Sequence, residues 1–489
     1  MESKQSYYLI ISVIGLIYIG FIWFVSDITR AATIDRVFLY YVDDIFRYCY
    51  IKSLSFNPII ALNFSLKIGY ALIAAIFYHI LPIGISSLRV MNVLFSCGIF
   101  FIIYKLTQQL SLPKLYSSIT IILTATFPIF FLTSLTTLSE VMYSFFIVLA
   151  IYLLCSQKVN LSFFIIAFLP LIRQEGLLYV LIWIYLLRKE IKIKYLPLLL
   201  LPTLFWIVAN NIFLGHSLIK FIFYLPAKDP PNSMATLDLL LKLTHILIYH
   251  PIIMLSFIGL IITWSDIKYR ILKLCFISHM IFILFLQIVH FFDSCGMFCR
   301  EIRIIMPLVP IMTLYSGTAL ARLLSNYRVK DKLFLGASFI VLSAISTVQI
   351  TQLQRQPAVI SDSVNKEDEY LLKNASIWLY KYIQNEDINK VCIVPGALTT
   401  DKIIRRIWMY LPGYVNFYAV GEDRSILNHI DNGSFDLAAL KYINLPSGTK
   451  CIFISKEMLE KDKFSSAARV DLINMYPDLH LYFYVVVFN

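Results

Sequence analysis

Long apolar runs decide what this chain can fold into. Tyr8 to Val25 carries no charge, and similar runs recur at Leu88–Leu106, Leu115–Leu135, Val141–Leu154, Leu161–Leu171, Leu177–Leu187, Tyr195–Phe213, Leu243–Trp264, Leu272–Phe291, Ile304–Leu324 and Leu333–Ile350. A helix needs about 20 apolar residues to cross a bilayer, so these runs predict about eleven spans, the shorter ones relying on their neighbours. Of 489 residues, 59% are hydrophobic and 15% charged, and the mean hydropathy is +0.75. A soluble core could not absorb that much apolar surface. The sequence is that of a polytopic α-helical membrane protein. Its first run is longer than a signal-peptide core and lacks a convincing cleavage site, so it reads as a retained anchor.

The net charge of +12 belongs to loops rather than to a nucleic-acid footprint, because Lys and Arg gather at cytoplasmic ends of spans. The basic segments are Lys105 with Lys114, Lys158, Arg188–Lys194, Lys268–Lys273 and Arg322–Lys332. One more apolar run, Ile59–Leu81, would invert all of these if it spanned. Lying along the membrane surface, as Lys67 and His79 within it also favour, it leaves every basic loop on the side of Lys4. The expected topology has the N-terminus in the cytoplasm, and both the loop from Ser26 to about Leu88 and the C-terminus outside. From about Gln352 the composition turns mixed. "SIWLYKYIQNE" has helical spacing, and "KVCIVPG", "CIFIS" and "YFYVVVF" are β-rich runs between turn signals. The expectation is a membrane module over residues 1–352 and a small extracytoplasmic α/β domain over 353–489. The eight cysteines include no CxxC pair. Cys295 and Cys299 are either unrelated or a local disulfide in an oxidising compartment.

Ionisable groups at membrane depth are costly and mark functional candidates. On this topology they fall on the outer side. Asp43, Asp44 and Arg47 follow the first span, Arg89 opens the second, Glu140 lies in a short outer turn, and Arg173 and Glu175 lie in another. Asp293, Arg300, Glu301 and Arg303 share a further outer loop. A carboxylate can take the proton of an attacking hydroxyl. Arginine can hold a phosphate bidentately and stabilise it as it leaves with added charge. Together they suit direct displacement of a sugar from a lipid phosphate, with inversion at the anomeric carbon. The milder readings are also open: a solvated acid pair at Asp43–Asp44, Glu140 as a helix-start acid with Ser139 as cap, a local Arg173–Glu175 ion pair, and arginines snorkelling to headgroups at Arg300 and Arg303.

At these residues the chain resembles the GT-C superfamily of membrane glycosyltransferases, which includes protein O-mannosyltransferases, lipid A aminoarabinose transferases and arabinofuranosyltransferases. The resemblance rests on "DDIFRY" (Asp43–Tyr48) with "FNP", on "LRVMNVLFSCGIFFIIYKL", "LSE" (Leu138–Glu140) and "RQEG" (Arg173–Gly176), and on "REIRIIMPLVP" (Arg300–Pro310), in that order. Gln174 stands where the family commonly has proline. The resemblance implies a GT-C-like fold with surface helices in the first outer loop, in a bacterial inner membrane rather than the endoplasmic reticulum. It implies a polyprenyl-phosphate sugar as donor, a glycan, lipid or protein acceptor, and no nucleic acid. Asp43 would be the base and Asp44 its support. Arg300 or Arg303 would hold the phosphate, and Arg47, Arg89, Glu140, Arg173 and Glu175 would complete the substrate site. It implies no cofactor, although Asp43, Asp44 and Glu140 are ligands of the kind a divalent cation takes. The rival functions are a flippase for a lipid-linked glycan, which would need polar groups along the span centres, and a non-catalytic envelope assembly protein.

Overall fold

The computed structural model describes residues 2–26, 47–48, 50–52, 54, 61–62, 67–81, 83–187, 196–214, 251–293, 302–325, 337–338, 341, 374–375, 378–379, 381–383, 385–386, 390–393, 416–419, 441–442, 450–455, 467–476 and 481–488. The chain divides into two compact units. One comprises Met1–Leu39, Arg89–Val208 and Lys228–Ile360; the other comprises Tyr40–Leu88, Ala209–Ala227 and Ser361–Asn489.

The helices, in chain order, are α1 (Glu2–Ser26), α2 (Ile68–Ile80), α3 (Ile85–Gln109), α4 (Lys114–Thr126), α5 (Pro128–Ser134), α6 (Glu140–Cys155), α7 (Val159–Ile172), α8 (Gly176–Leu187), α9 (Leu196–Leu214), α10 (Pro251–Ile262), α11 (Arg270–Asp293) and α12 (Val309–Leu323). They follow the apolar runs closely. Leu333–Ile350 lies almost wholly outside the described residues. The run Leu115–Leu135, expected as a single helix, is broken between α4 and α5. Pro128 disfavours helical backbone at the residue before it, and Phe127 is extended at φ −65 and ψ 126. Among the described residues α3 alone is long and apolar enough to cross a bilayer by itself, and shorter apolar helices accompany it. Leu201, Leu204, Phe205 and Val208 on α9 are all more than half exposed. A contiguous apolar face of this kind suits lipid rather than water.

The first unit is organised around α12, which is buried from Val309 to Leu320. Small residues let its backbone close on its neighbours, the device membrane helices use where no hydrophobic gradient drives them together. A Cβ added at Gly259 of α10 would strike the backbone carbonyl of Tyr315, and one at Gly317 would strike Thr120 of α4. Side-chain hydrogen bonds cross the same seams, from Ser316 to the Ile252 carbonyl at 2.8 Å and between Thr124 and Thr313 at 2.7 Å. Gly259→Ala is therefore expected to destabilise by about 1–3 kcal/mol through overpacking. Gly20→Ala, where nothing lies within 4 Å of the new carbon, should gain up to about 1 kcal/mol of helix propensity. Unfolding of both variants in detergent compares the two.

These contacts also fix direction. Thr124 meets Thr313 and Thr120 meets Gly317, so α4 and α12 run antiparallel, and Arg322 lies at the Lys114 end. Tyr7 donates to the Lys114 carbonyl at 2.9 Å, which brings the start of α1 to that end. Gln109 donates to Ser156 at 2.7 Å, beside Lys158. Arg322 donates to the Ile262 carbonyl at 2.9 Å, which adds the turn that leads into Lys268–Lys273. Among the described residues the basic positions Lys105, Lys114, Lys158, Lys268–Lys273 and Arg322 thus share one end of the helices, and the starts of α3, α6, α8 and α12 lie at the other.

In the second unit, residues 47–48 and 50–52 are helical and pack on α2. Tyr48 meets Tyr78 edge-on at 6.0 Å between ring centroids, and Tyr48, Tyr50, Ile51 and Lys52 are buried. The helix α2 has 13 residues, about 20 Å of length against a hydrocarbon core of about 30 Å. The same unit carries a six-stranded sheet ordered β3-β2-β1-β4-β6-β5. Its strands are β1 (Lys390–Ile393), β2 (Asn416–Ala419), β3 (Lys441–Tyr442), β4 (Lys450–Ser455), β5 (Ala467–Tyr476) and β6 (Leu481–Phe488). Strands β3, β2, β1 and β4 are parallel neighbours, and β6 and β5 add antiparallel. Helical residues at 375, 379 and 383 are buried, and Trp378 packs on Phe483 of β6 at 5.3 Å. An α/β layering of the C-terminal region results.

Candidate active site

The end of the first unit opposite the basic turns is built around one guanidinium. Arg173, in the turn between α7 and α8, reaches Glu140 at the start of α6, with Nη1 2.6 Å from Oε1. Its other edge grips Glu175, with Nη2 at 2.6 Å from Oε1 and Nε at 3.2 Å from Oε2. Side-chain exposure is 15% for Arg173, 3% for Glu140 and 18% for Glu175, so the cluster is largely withdrawn from solvent. Burial alone would lower the guanidinium's pKa. The Glu175 and Glu140 carboxylates outweigh it and hold Arg173 above its usual range, firmly charged. The ion pair left open within "RQEG" is present, and it is one arm of a three-membered cluster joining α6 to the α7–α8 turn.

The local backbone explains how Glu140 is presented. Helix α6 does begin at Glu140, but Ser139 does not cap it. Ser139 has helical backbone (φ −77, ψ −8) rather than the extended geometry of a capping residue. Its buried Oγ has no hydrogen-bond partner among the described residues. The turn before it is held locally by Thr136, whose Oγ1 accepts from the Leu138 N–H at 3.3 Å, and from α3. Asn92 Nδ2 donates to the carbonyls of Thr136 and Leu138 at 2.7 and 2.8 Å. Ser96, one turn on, meets Ser134 at 2.7 Å. Arg89 sits on the same face of α3, one turn before Asn92, fully buried. The 3-10 segment Ile302–Leu308, which carries the backbone of Arg303, packs against α6 and leads into α12.

Within the first unit the structure therefore brings Glu140, Arg173 and Glu175 into direct contact, places Arg89 at the same helical end through Asn92, and sets the Arg303 segment against α6. In the second unit Arg47 lies over the Tyr70 ring at 5.3 Å, a cation–π contact. Asp43, Asp44 and Arg300 lie outside the described residues, as do Cys295, Cys299 and Glu301. Among the described residues no group of three His, Cys, Asp or Glu could hold a metal ion. The Glu140 oxygen nearest the cluster is committed to Arg173. Sequence reasoning passed over Asn92. It also passed over Tyr143, whose buried hydroxyl has no hydrogen-bond partner among the described residues and whose ring meets Tyr179 at 6.1 Å. Tyr179 in turn lies 2.9 Å from Nδ1 of buried His279.

Comparison with known proteins gives fold without sequence kinship. No protein-family model matches the chain, and no curated protein sequence matches it. Among solved structures it is similar to ArnT from Cupriavidus metallidurans bound to undecaprenyl phosphate, at a TM-score of 0.53 and 10% identity over 98% of each chain. It is also similar to the same protein in the apo state, at a TM-score of 0.50 and 10% identity over 99% of this chain and 98% of that one. Agreement over nearly the whole of both chains bears out the expected polytopic helical membrane fold: this chain has the fold of ArnT.

Proposed function

We propose that the chain is an inverting glycosyltransferase that moves a sugar from a polyprenyl-phosphate donor to an acceptor hydroxyl on the extracytoplasmic side of the membrane. The observation that carries this reading is the segregation of charge by helical end. Arg89, Glu140, Arg173 and Glu175 gather at the end opposite the basic turns, in a fold shared with a protein crystallised with undecaprenyl phosphate. Basic turns mark the cytoplasmic face, which makes the acid-and-arginine end the outer one.

In the proposed reaction the acceptor oxygen attacks the anomeric carbon. The bond from that carbon to the phosphate oxygen breaks, and the polyprenyl phosphate departs with the electron pair. Asp43 takes the acceptor's proton, and Asp44 supports it. Arg173 has three of its nitrogens engaged by carboxylates, so the phosphate falls to Arg300 or Arg303, assisted by Arg89 and Arg47. Glu140, Arg173 and Glu175 form the wall against which the donor is oriented. No metal is required. The module over 1–352 would carry this chemistry, and the domain over 353–489 would face the acceptor.

The test is consumption of a panel of undecaprenyl-phosphate sugars by the purified full chain in nanodiscs, with and without EDTA. Turnover of at least one donor, unchanged by EDTA, is expected. A folded protein that turns over none of them moves the function to transport or assembly. Turnover abolished by EDTA restores a metal to the mechanism.

A further inference from the structure

We propose that Asn92 is a positioning residue for this site: it clamps the Thr136–Leu138 turn and thereby sets Glu140 against Arg173. Three observations converge. A single buried amide spends both of its protons on the backbone carbonyls that flank Thr137, at 2.7 and 2.8 Å. Glu140 follows two residues after the second of those carbonyls and meets Arg173 at 2.6 Å. The Asn92 Oδ1 is left buried without a partner among the described residues. With Nδ2 facing two acceptors, the amide cannot be flipped to relieve this. A buried acceptor left unmade is unfavourable, and an apolar residue would avoid it. What Asn92 supplies in return is a hold from a second helix on a turn that is otherwise braced locally by Thr136, whose Oγ1 accepts from the Leu138 N–H at 3.3 Å and donates to the Thr133 carbonyl at 2.8 Å, and that passes into α6 without a side-chain cap from Ser139.

The kinetic half of the test rests on the transfer reaction proposed above; the structural half does not. Hydrogen exchange of the full chain in nanodiscs, read by mass spectrometry, compares wild type with Asn92→Ala and Asn92→Ser. Amides of Ser139–Tyr143 are expected to exchange at least tenfold faster in Asn92→Ala, with Asn92→Ser intermediate because it keeps one donor. The Ile311–Leu320 stretch of α12 should stay unchanged. Exchange at Ser139–Tyr143 equal to wild type overturns the clamp, whether or not any donor is consumed. A variant that exchanges faster everywhere overturns it in favour of a general packing role, and Asn92→Ser decides the case should Asn92→Ala not fold. Where a donor is consumed, Asn92→Ala should lower kcat about tenfold with KM within about twofold. Added to Glu140→Gln, it should lower kcat no further. Additive losses in that double variant would show that Asn92 acts independently of Glu140, against the proposal.

Discussion

Asp43→Asn is expected to lower sugar transfer by about 10²–10⁴-fold, the usual contribution of a positioned general base, with the protein still folded. The amide keeps the size and most of the hydrogen bonding of the carboxylate but cannot take the acceptor's proton. Asp44→Asn should cost less, because its proposed task is support. The measurement is single-turnover transfer from whichever undecaprenyl-phosphate sugar the wild type consumes, with thermal unfolding as the control for fold. If Asp44→Asn loses the activity and Asp43→Asn keeps it, the two residues exchange roles. If both retain full transfer, the acid pair leaves the mechanism and Glu140 and Glu175 become the carboxylates to examine. Hydrolysis of the donor without an acceptor adds a second readout. A base that activates only the acceptor should matter equally for water, whereas a residue that merely binds the acceptor should not.

What could be seen in the sequence depended on whether a signal was local. Spans announce themselves as apolar runs, and the helices follow them. The break at Phe127 was also spelled out by Pro128, within a run that its hydropathy alone joins into one helix. The C-terminal sheet was half visible. β1, β4 and β6 are β-branched or aromatic runs, whereas β5 mixes Arg469, Asp471 and Asn474 into its length. That composition reads as a loop, yet β5 is an edge strand with register shifts near Ala467 and Leu472, where polar side chains and irregularity are tolerated. At the site, each ionisable residue stood out singly because charge is scarce at membrane depth. The partnership of Glu140 with Arg173 joins two helices, and nothing local encodes it. Ser139 before Glu140 spells a cap by residue type, but its helical backbone turns the hydroxyl away from that task. Asn92 did carry a signal, as it shares one face of α3 with Arg89 and Ser96. Its partners are backbone carbonyls, which no residue type identifies.

Arg173→Ala is expected to destabilise the protein by about 3–5 kcal/mol, the range for removing one partner of a buried ion pair, because it leaves Glu140 and Glu175 facing each other with no cation between them. Arg173→Lys should fall between, since an ammonium can neutralise the pair but cannot bridge both carboxylates as the fork does. The triple replacement Glu140→Gln, Arg173→Met, Glu175→Gln separates stability from function. With all three charges gone the desolvation penalty also goes, and buried ionic clusters replaced whole are often neutral or better. That variant should unfold within about 1 kcal/mol of wild type or above it, yet transfer sugar no better than Arg173→Ala. Reversible unfolding in mixed detergent gives the first quantity and donor consumption the second. Recovered activity alongside recovered stability would mean that the cluster only holds α6 to the α7–α8 turn, and that the wall of the site lies elsewhere. Recovered stability with lost activity would mean that the charges themselves are needed, and that the fold carries an energetically neutral cluster for the sake of what it faces.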